Sequence, residues 1–304
     1  MYDLMIIGGG PAGLCASVYA ARKQLNMLLS SGDIGGQVNL TMGVENYLGY
    51  QFIEGIELID KFQAQVAKFP VDQKIGDKVA RLEVIDKGFE ATTEAGVTYQ
   101  SKAVILATGK RPRQLGVPGE KELTGRGVTY CAICDGPIFD GQKVAVVGGG
   151  NSAVEAVLDM AKIAEHVSLV SLTPLTADSV LVNQLSGLKN LTSFIEYETQ
   201  KINGEGLVEG IEIKNSKSGE TERLEVTGVF IEIGLIPNSN AVKDLIYLNK
   251  LGEVPVSCYC ETTVPGLYAA GDVTDVPEKQ IIIAAGEGAK AALQVHRYLQ
   301  RLEV

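Results

Sequence analysis

The chain has 304 residues, among them 35 Gly, 5 Cys, 2 His and no Trp, a length that suggests about two domains, each able to bury a core without disulfide or metal staples. Its 27 Lys and Arg against 37 Asp and Glu give a net charge of −10 with no basic run, which argues against nucleic acid and anionic membranes as partners. No apolar stretch approaches the roughly 18 residues of a membrane span, and the 45% hydrophobic content without a Gly-X-Y period excludes disorder and collagen as reasons for the glycine excess. Strand-like sequence starts at Tyr2 with no basic leader before it, so a cytoplasmic location is expected. An odd number of Cys is a poor fit to a secreted disulfide framework.

The first elements read as strand, turn, helix, strand. "LMIIGGGPAG" (Leu4 to Gly13) places Gly8, Gly10 and Gly13 in a GxGxxG turn, with Pro11 and Ala12 between the last two. The first Gly makes the tight turn, the second admits a pyrophosphate to the backbone N–H groups, and the third lets helix and strand pack closely. The helix N-terminus adds partial positive charge. A purely structural turn is the alternative. A helical pattern follows from Leu14 to Lys23, then a strand from Asn26. No Asp or Glu ends that strand, where Ser30 and Ser31 stand, so ribose recognition in this half is expected from elsewhere. A helix with apolar Ile59, Phe62, Val66 and Phe69 ends at Pro70. "GFEATTEAGVTYQ" breaks at Glu94-Ala95-Gly96 into antiparallel strands, and "AVILATG" (Ala103 to Gly109) closes the first half.

Cys131 and Cys134 form CxxC in "TYCAICDGPIF". Two thiols at this spacing close a small disulfide ring and exchange with external disulfides. A helical turn beginning at the pair lowers one thiol pKa. Asp135 follows and is placed to donate or accept a proton, or is a turn residue before Gly136. Half a zinc site is the alternative for the pair. Its other half would be Cys258 and Cys260, but C-x-C spacing is atypical and no His lies nearby, so no metal is expected. Cys258 and Cys260 at i, i+2 on a strand, and Cys15 in the first helix, read as small apolar packing residues. His166 and His296 read as surface residues.

The opening pattern recurs 140 residues on. "VAVVGGGNSA" (Val144 to Ala153) carries Gly148, Gly150 and Ala153 as GxGxxA around Asn151 and Ser152. A helical pattern (Val154 to Ile163), a strand from Val167, a break at Lys217-Ser218-Gly219 and the closing "GVFIEIG" (Gly228 to Gly234) complete the echo. Two such turns suit two dinucleotides, usually a flavin and a nicotinamide. A duplicate that keeps the fold and binds nothing is the alternative. Ser171 ends the second strand of this unit, 23 residues after Gly148. It is neither the acid that holds the ribose of NAD nor an Arg for the 2′-phosphate of NADP, and no Lys or Arg occurs between Lys162 and Lys189. NADPH is disfavoured and NADH tolerated. The tail from roughly Asp244 adds strand signals, "GLYAAGD" and a final helix from about Ala284. It must complete one of the two units. Asp272 there suits a sugar or ribityl hydroxyl, or caps the helix. The fold class expected is α/β, with two Rossmann-like three-layer dinucleotide-binding units, each with a parallel sheet and a β-meander. Their junctions fall near Arg113 and Asn240.

"GGGPAG", "GGQ" (Gly35 to Gln37), "VENYLG" (Val44 to Gly49), "ATG" (Ala107 to Gly109), "CAICDG", "GGGNSA", "GLIPN" (Gly234 to Asn238) and "AAGDV" run in order over essentially the whole chain. Together they resemble the low-molecular-weight thioredoxin reductase family of FAD disulfide oxidoreductases. CxxCDG ahead of the second Gly-rich turn is the specific element. The second unit also resembles the reductase module of NADH-using alkyl hydroperoxide reductase flavoproteins, whose N-terminal thioredoxin-like domains have no room here. "SLTPLTADS" replaces the His-Arg-Arg run and further Arg of NADPH-using reductases.

That resemblance implies a discontinuous FAD domain of residues 1–112 and 241–304, a nucleotide domain of 113–240 that carries the CxxC, and a homodimer. Gly8, Gly10, Pro11, Ala12, Gly13, Gly35, Gly36, Gln37, Asn46, Thr108, Gly109, Asp272, Gln280 and Ile281 would line FAD. Gly148, Gly150, Asn151, Ser152, Ala153, Ser171 and Gly234 would hold NADH or NADPH. Cys134 would face the flavin, Cys131 would attack the substrate disulfide, Asp135 would protonate the leaving thiolate, and rotation of the central domain would serve both sites. The function expected is electron transfer from NADH through FAD and the Cys131–Cys134 disulfide to a thioredoxin- or glutaredoxin-like protein. Three readings stay open beside it: a ferredoxin-type donor with a vestigial second turn, a redox-responsive flavin-binding protein without turnover, and an NADH oxidase, which would not need the CxxC.

Overall fold

Leu4, Met5, Ile6 and Ile7 are all buried, and a run of apolar residues with no polar face is the mark of a strand covered on both sides. They lie in Tyr2–Gly9, which pairs in parallel with Met27–Ile34 on one side and Thr98–Leu106 on the other. Asp72–Ile75 extends one edge, and antiparallel Gly88–Thr93 and Val79–Ile85 extend the other. Leu267–Ala269, from the far end of the sequence, also joins Thr98–Leu106 in parallel. The final helix, Ile281–Leu302, packs on the first helix, Pro11–Arg22. Contact there is backbone-close, since a Cβ on Gly288 would stand 2.0 Å from Ala12 O. Sheet and helix together show that the tail completes the first unit. The computed structural model describes residues 1–41 and 43–302, so the last two residues of the predicted 241–304 segment fall outside it.

The second sheet runs Val128–Thr129, Gly228–Ile231, Lys143–Val147, His166–Ser171, Leu191–Ile195, all parallel. Its side chains divide by the period of two. Val144 and Val146 face Val154, Val157 and Met160 of the Asn151–Met160 helix. Ala145 and Val147 face Ile202, Ile211 and Ile213 of an antiparallel meander formed by Tyr197–Asn203, Gly210–Asn215 and Thr221–Leu224. The chain is thus α/β with two Rossmann-like sheets, the first parallel with an antiparallel edge and the second parallel throughout. Lys110–Pro112 and Leu235–Pro237 pair antiparallel as a ribbon between them. Among the described residues no helix is long and apolar enough to cross a membrane.

Several elements differ from their sequence expectation. Both fingerprint helices start three residues early, at Pro11 and Asn151, because the Gly-rich turn is itself the helix start. The amphipathic helix, Gly55–Val66, stops before Phe69, since Pro70 pushes the preceding residue out of the helical region. Cys258 and Cys260 are not on a strand. Ser257 Oγ accepts from Tyr259 N and Glu261 N and folds the segment into a turn, which leaves Cys258 exposed and Cys260 buried.

One buried ion pair ties the ribbon to the first unit. Lys110 Nζ donates to Glu253 Oε1 at 2.5 Å, with side chains 8% and 9% exposed. Burial pushes the Glu253 carboxyl up, but hydrogen bonds from Lys110 and Asn249 outweigh it and hold the group below its usual range. Glu253→Gln strands the lysine, and should cost about 3 kcal/mol in urea unfolding at pH 7. Because the folded pKa is lowered, the wild-type advantage is present above the unfolded value of 4.5 and should vanish as pH falls through the folded one.

Candidate active site

The two Gly-rich turns share one geometry. Gly8 has φ 118°, and a Cβ there would lie 2.2 Å from Ala107 O; Gly148 has φ 148°, and its Cβ would lie 2.2 Å from Glu232 O. In both, the strand that closes the unit presses its backbone against the turn. Gly13 is barred from a side chain because its Cβ would meet Gly8 O at 1.8 Å, and Ala153 replaces it in the second unit. Gly10 and Gly150 are different. Each is the N-cap of its helix without a side-chain cap, and the space around an added Cβ is open. Uncapped helix donors facing open space form a cradle for a pyrophosphate, so both turns fit a dinucleotide.

Around the first turn, residues distant in sequence meet. Gln37 Nε2 donates to Asp272 Oδ2 at 3.0 Å, and Asn46 Nδ2 to Gln280 Oε1 at 3.0 Å. Thr108 Oγ1 donates to Asn238 O at 2.7 Å, and Asn238 N to Gly109 O at 2.9 Å. Burial pushes the Asp272 carboxyl up, against the pull of Lys279, Lys110 and Gln37. Gly35 and Gly36 open the short 3₁₀ turn that carries Gln37, and Ile281 opens the final helix. The absence of an acid at the end of the second strand is corrected. That strand runs on to Ile34, which brings exposed Asp33 to its end, where Oδ1 accepts from Gly36 N at 3.2 Å. Ser31 is used inside the turn, its Oγ accepting from Gly9 N at 2.8 Å.

At the second turn a cavity of about 1340 Å³ is lined by Gly148, Gly150, Ser152, Ser171 and Gly234. Asn151 instead pairs with Asp178, through bonds of 3.0 and 2.8 Å. Ser171 Oγ is spent on Thr173 O at 2.7 Å. Arg111, Arg113 and Glu232 also line the cavity, and none was marked by the sequence. The arginines come not from the strand tip but from the ribbon and the residue that follows it. Glu232 was legible in the repeat, since it stands where "AVILATG" has Ala107. The half-buried Glu232 accepts from Ala132 N at 3.3 Å. Burial pushes its carboxyl up to about 7, against bonds from Ala132 and Ser152, and Glu155 adds to the rise.

Cys131 and Cys134 form a disulfide, with Cα atoms 5.3 Å apart. Cys131 caps the short helix Ala132–Asp135, and its Sγ accepts from Cys134 N at 3.2 Å. Ile133 between them is 64% exposed. Asp135 is buried and accepts from Thr129 Oγ1, which in turn accepts from Cys131 N at 3.2 Å. The helix packs on Gly43–Val44 of the first unit. Ile138, just beyond it, would lie 3.5 Å from a Cβ on Gly43. The redox pair therefore belongs to the second unit by chain and touches the first by packing.

Comparison with known proteins agrees with this geometry. The pyridine nucleotide-disulphide oxidoreductase family matches residues 2–288, and the chain belongs to it. Its structure is similar to thioredoxin reductase of Streptococcus pyogenes, at 38% identity over 99% of both chains and a TM-score of 0.94. Lactococcus lactis thioredoxin reductase in its FR conformation covers 99% of this chain and 100% of its own, at 33% identity and a TM-score of 0.69. The F component of Staphylococcus aureus alkyl hydroperoxide reductase is 42% identical over 301 residues. The chain covers 59% of that relative's length. Along its whole length the chain has a thioredoxin reductase-like fold.

The glycines separate fold from binding. Gly13→Ala needs main-chain movement, and should lower the urea midpoint sharply or leave the protein insoluble. Gly10→Val meets nothing in the protein, so the midpoint of flavin-free protein should stay at the wild-type value. The flavin absorbance per mole of purified protein should fall.

Proposed function

We propose that the chain reduces the disulfide of a protein partner at the expense of NADH, used in preference to NADPH, through FAD and the Cys131–Cys134 pair. One observation carries this reading: the disulfide helix of the nucleotide unit lies against the unit that bears the other dinucleotide cradle. We assign residues 1–112 and 241–304 to the FAD domain, 113–240 to the nucleotide domain, and a cytoplasmic homodimer to the whole. Bound FAD supplies a two-electron acceptor that takes a hydride and hands the pair to a disulfide. The first turn orients its pyrophosphate, while Gln37 with Asp272, and Asn46 with Gln280, fix polar groups along its length.

Once the pair is reduced, Cys131 passes its thiol proton to Asp135 and attacks one sulfur of the partner disulfide, forming a mixed disulfide and expelling a thiolate, to which Asp135 gives that proton. Cys134 then attacks Cys131 Sγ, releases the second partner thiol and closes the ring again. Ile133, exposed between the two, offers an apolar contact to a protein partner. Rotation of the nucleotide domain about the Lys110–Pro112 and Leu235–Pro237 ribbon exchanges the disulfide for the nucleotide. Similar identity with TM-scores as different as 0.94 and 0.69 supports such a movement. NADH preference rests on Ser171 and the lack of a cation at its strand tip. Arg113 stands beside Gly234, at the end of a strand on the opposite side of Lys143–Val147. The partner class is a thioredoxin- or glutaredoxin-like protein, and the name alkyl hydroperoxide reductase adds a disulfide-forming peroxide reductase.

Anaerobic titration with NADH, NADPH and reduced ferredoxin, followed by flavin absorbance, tests the donor. NADH should bleach the flavin with kcat/KM at least about tenfold above NADPH, a difference of about 1.4 kcal/mol. Bleaching by ferredoxin alone would overturn the nicotinamide reading. Cys134→Ser should keep NADH-driven bleaching and lose turnover with every protein disulfide; a wild-type turnover rate would remove the pair from the mechanism.

A further inference from the structure

The two units repeat one plan, and they differ sharply at one position on the wall of the dinucleotide cradle. The strand that presses on the first turn is followed by Ala107, and the strand that presses on the second by Glu232. The Glu232 carboxyl lines the nucleotide cavity. It reaches Ser152, the second residue of the fingerprint helix, on one side. On the other it reaches Ala132 N at 3.3 Å, one residue after Cys131. A carboxyl is thus held where an incoming pyrophosphate adds negative charge, in a half-buried site where repulsion of its ionised form is weakly screened.

Resting on the assignment of a pyridine dinucleotide to the second turn, we propose that Glu232 is a positioning residue whose carboxyl takes up a proton as the dinucleotide enters. Binding is thereby linked to pH. Protonated, the group no longer repels the pyrophosphate, and it is a weaker acceptor for Ala132 N at the start of the redox helix. Ordinary carboxyls are ionised throughout the neutral range, so such linkage would be absent in their case. Here burial brings the group up to about 7, within reach of physiological pH. The charged group that faces it is Glu155 on the fingerprint helix, and Arg111, Arg113, Lys121 and Glu198 line the same cavity. Glu155 favours the proton. Cys131 and Cys134 do not titrate while joined. Burial pushes the free thiols of Cys15 and Cys260 up, away from this window.

The test uses oxidised holoenzyme and NAD⁺, since the 2′-phosphate of NADP⁺ itself titrates near about 6. Isothermal calorimetry at pH 7 in two buffers of different ionisation enthalpy should show uptake of about half a proton per NAD⁺ bound in the wild type and none in Glu232→Gln. The dissociation constant should rise about tenfold from pH 6 to pH 8 in the wild type. In Glu232→Gln it should change by less than about twofold. Glu232→Ala, which restores the residue of the first unit, should be equally insensitive and guards against a misfolded Gln variant. NAD⁺ binding without proton uptake, or with the same pH slope in all three proteins, overturns the role of Glu232 and leaves the nucleotide site standing. No NAD⁺ binding by any of them at any pH overturns the nucleotide site itself.

Discussion

At Gly8 and again at Gly148 the main chain comes so near a neighbouring strand end that a single methyl group would collide with a carbonyl oxygen at 2.2 Å. This contact of backbone on backbone governs much of what surrounds it. It closes the turn, aims the start of the following helix at open space, and leaves that helix with no side chain to cap it. A phosphate-binding cradle is the consequence of a packing constraint. The repeat of the constraint in both units is the physical content of the family resemblance.

Given two cradles, the remaining question is how they communicate. The tail answers half of it by returning to the first unit. Leu267–Ala269 enters the sheet and the final helix lies on the first. Asp272 and Gln280 thereby come within hydrogen-bonding distance of Gln37 and Asn46. The redox helix answers the other half. It belongs by chain to the second unit and packs against Gly43–Val44 of the first, with the antiparallel ribbon as the link between units. Buried Lys110 and Glu253 anchor that ribbon at one end, so any movement of the units must bend beyond the ion pair.

Charge follows a similar logic. The cavity of the second turn holds Arg111 of the ribbon, Arg113 just after it and Glu232 just after the closing strand. The electrostatics of that cavity are therefore set by residues far in sequence from the fingerprint. The same carboxyl touches the residue beside Cys131, so the second turn and the redox pair share one acidic neighbour.

Much of this was legible in the residues alone. The apolar runs at Leu4 and Val144, the spacing of the glycines and the CxxC determined two strand–turn–helix units and a redox pair, because each depends on local sterics and short-range geometry. Comparing "AVILATG" with "GVFIEIG" already isolates Glu232. Other features were decided only by tertiary structure. The second strand runs past Ser31 to reach Asp33 because its partner strand continues, which no local pattern reveals. Cys258 and Cys260 alternate like strand residues, but the Ser257 hydroxyl captures the backbone and makes a turn. The meeting of Gln37 with Asp272, and of Arg113 with Gly234, is set by how sheets and ribbon fold together, and contacts across such distances in sequence leave no periodic trace.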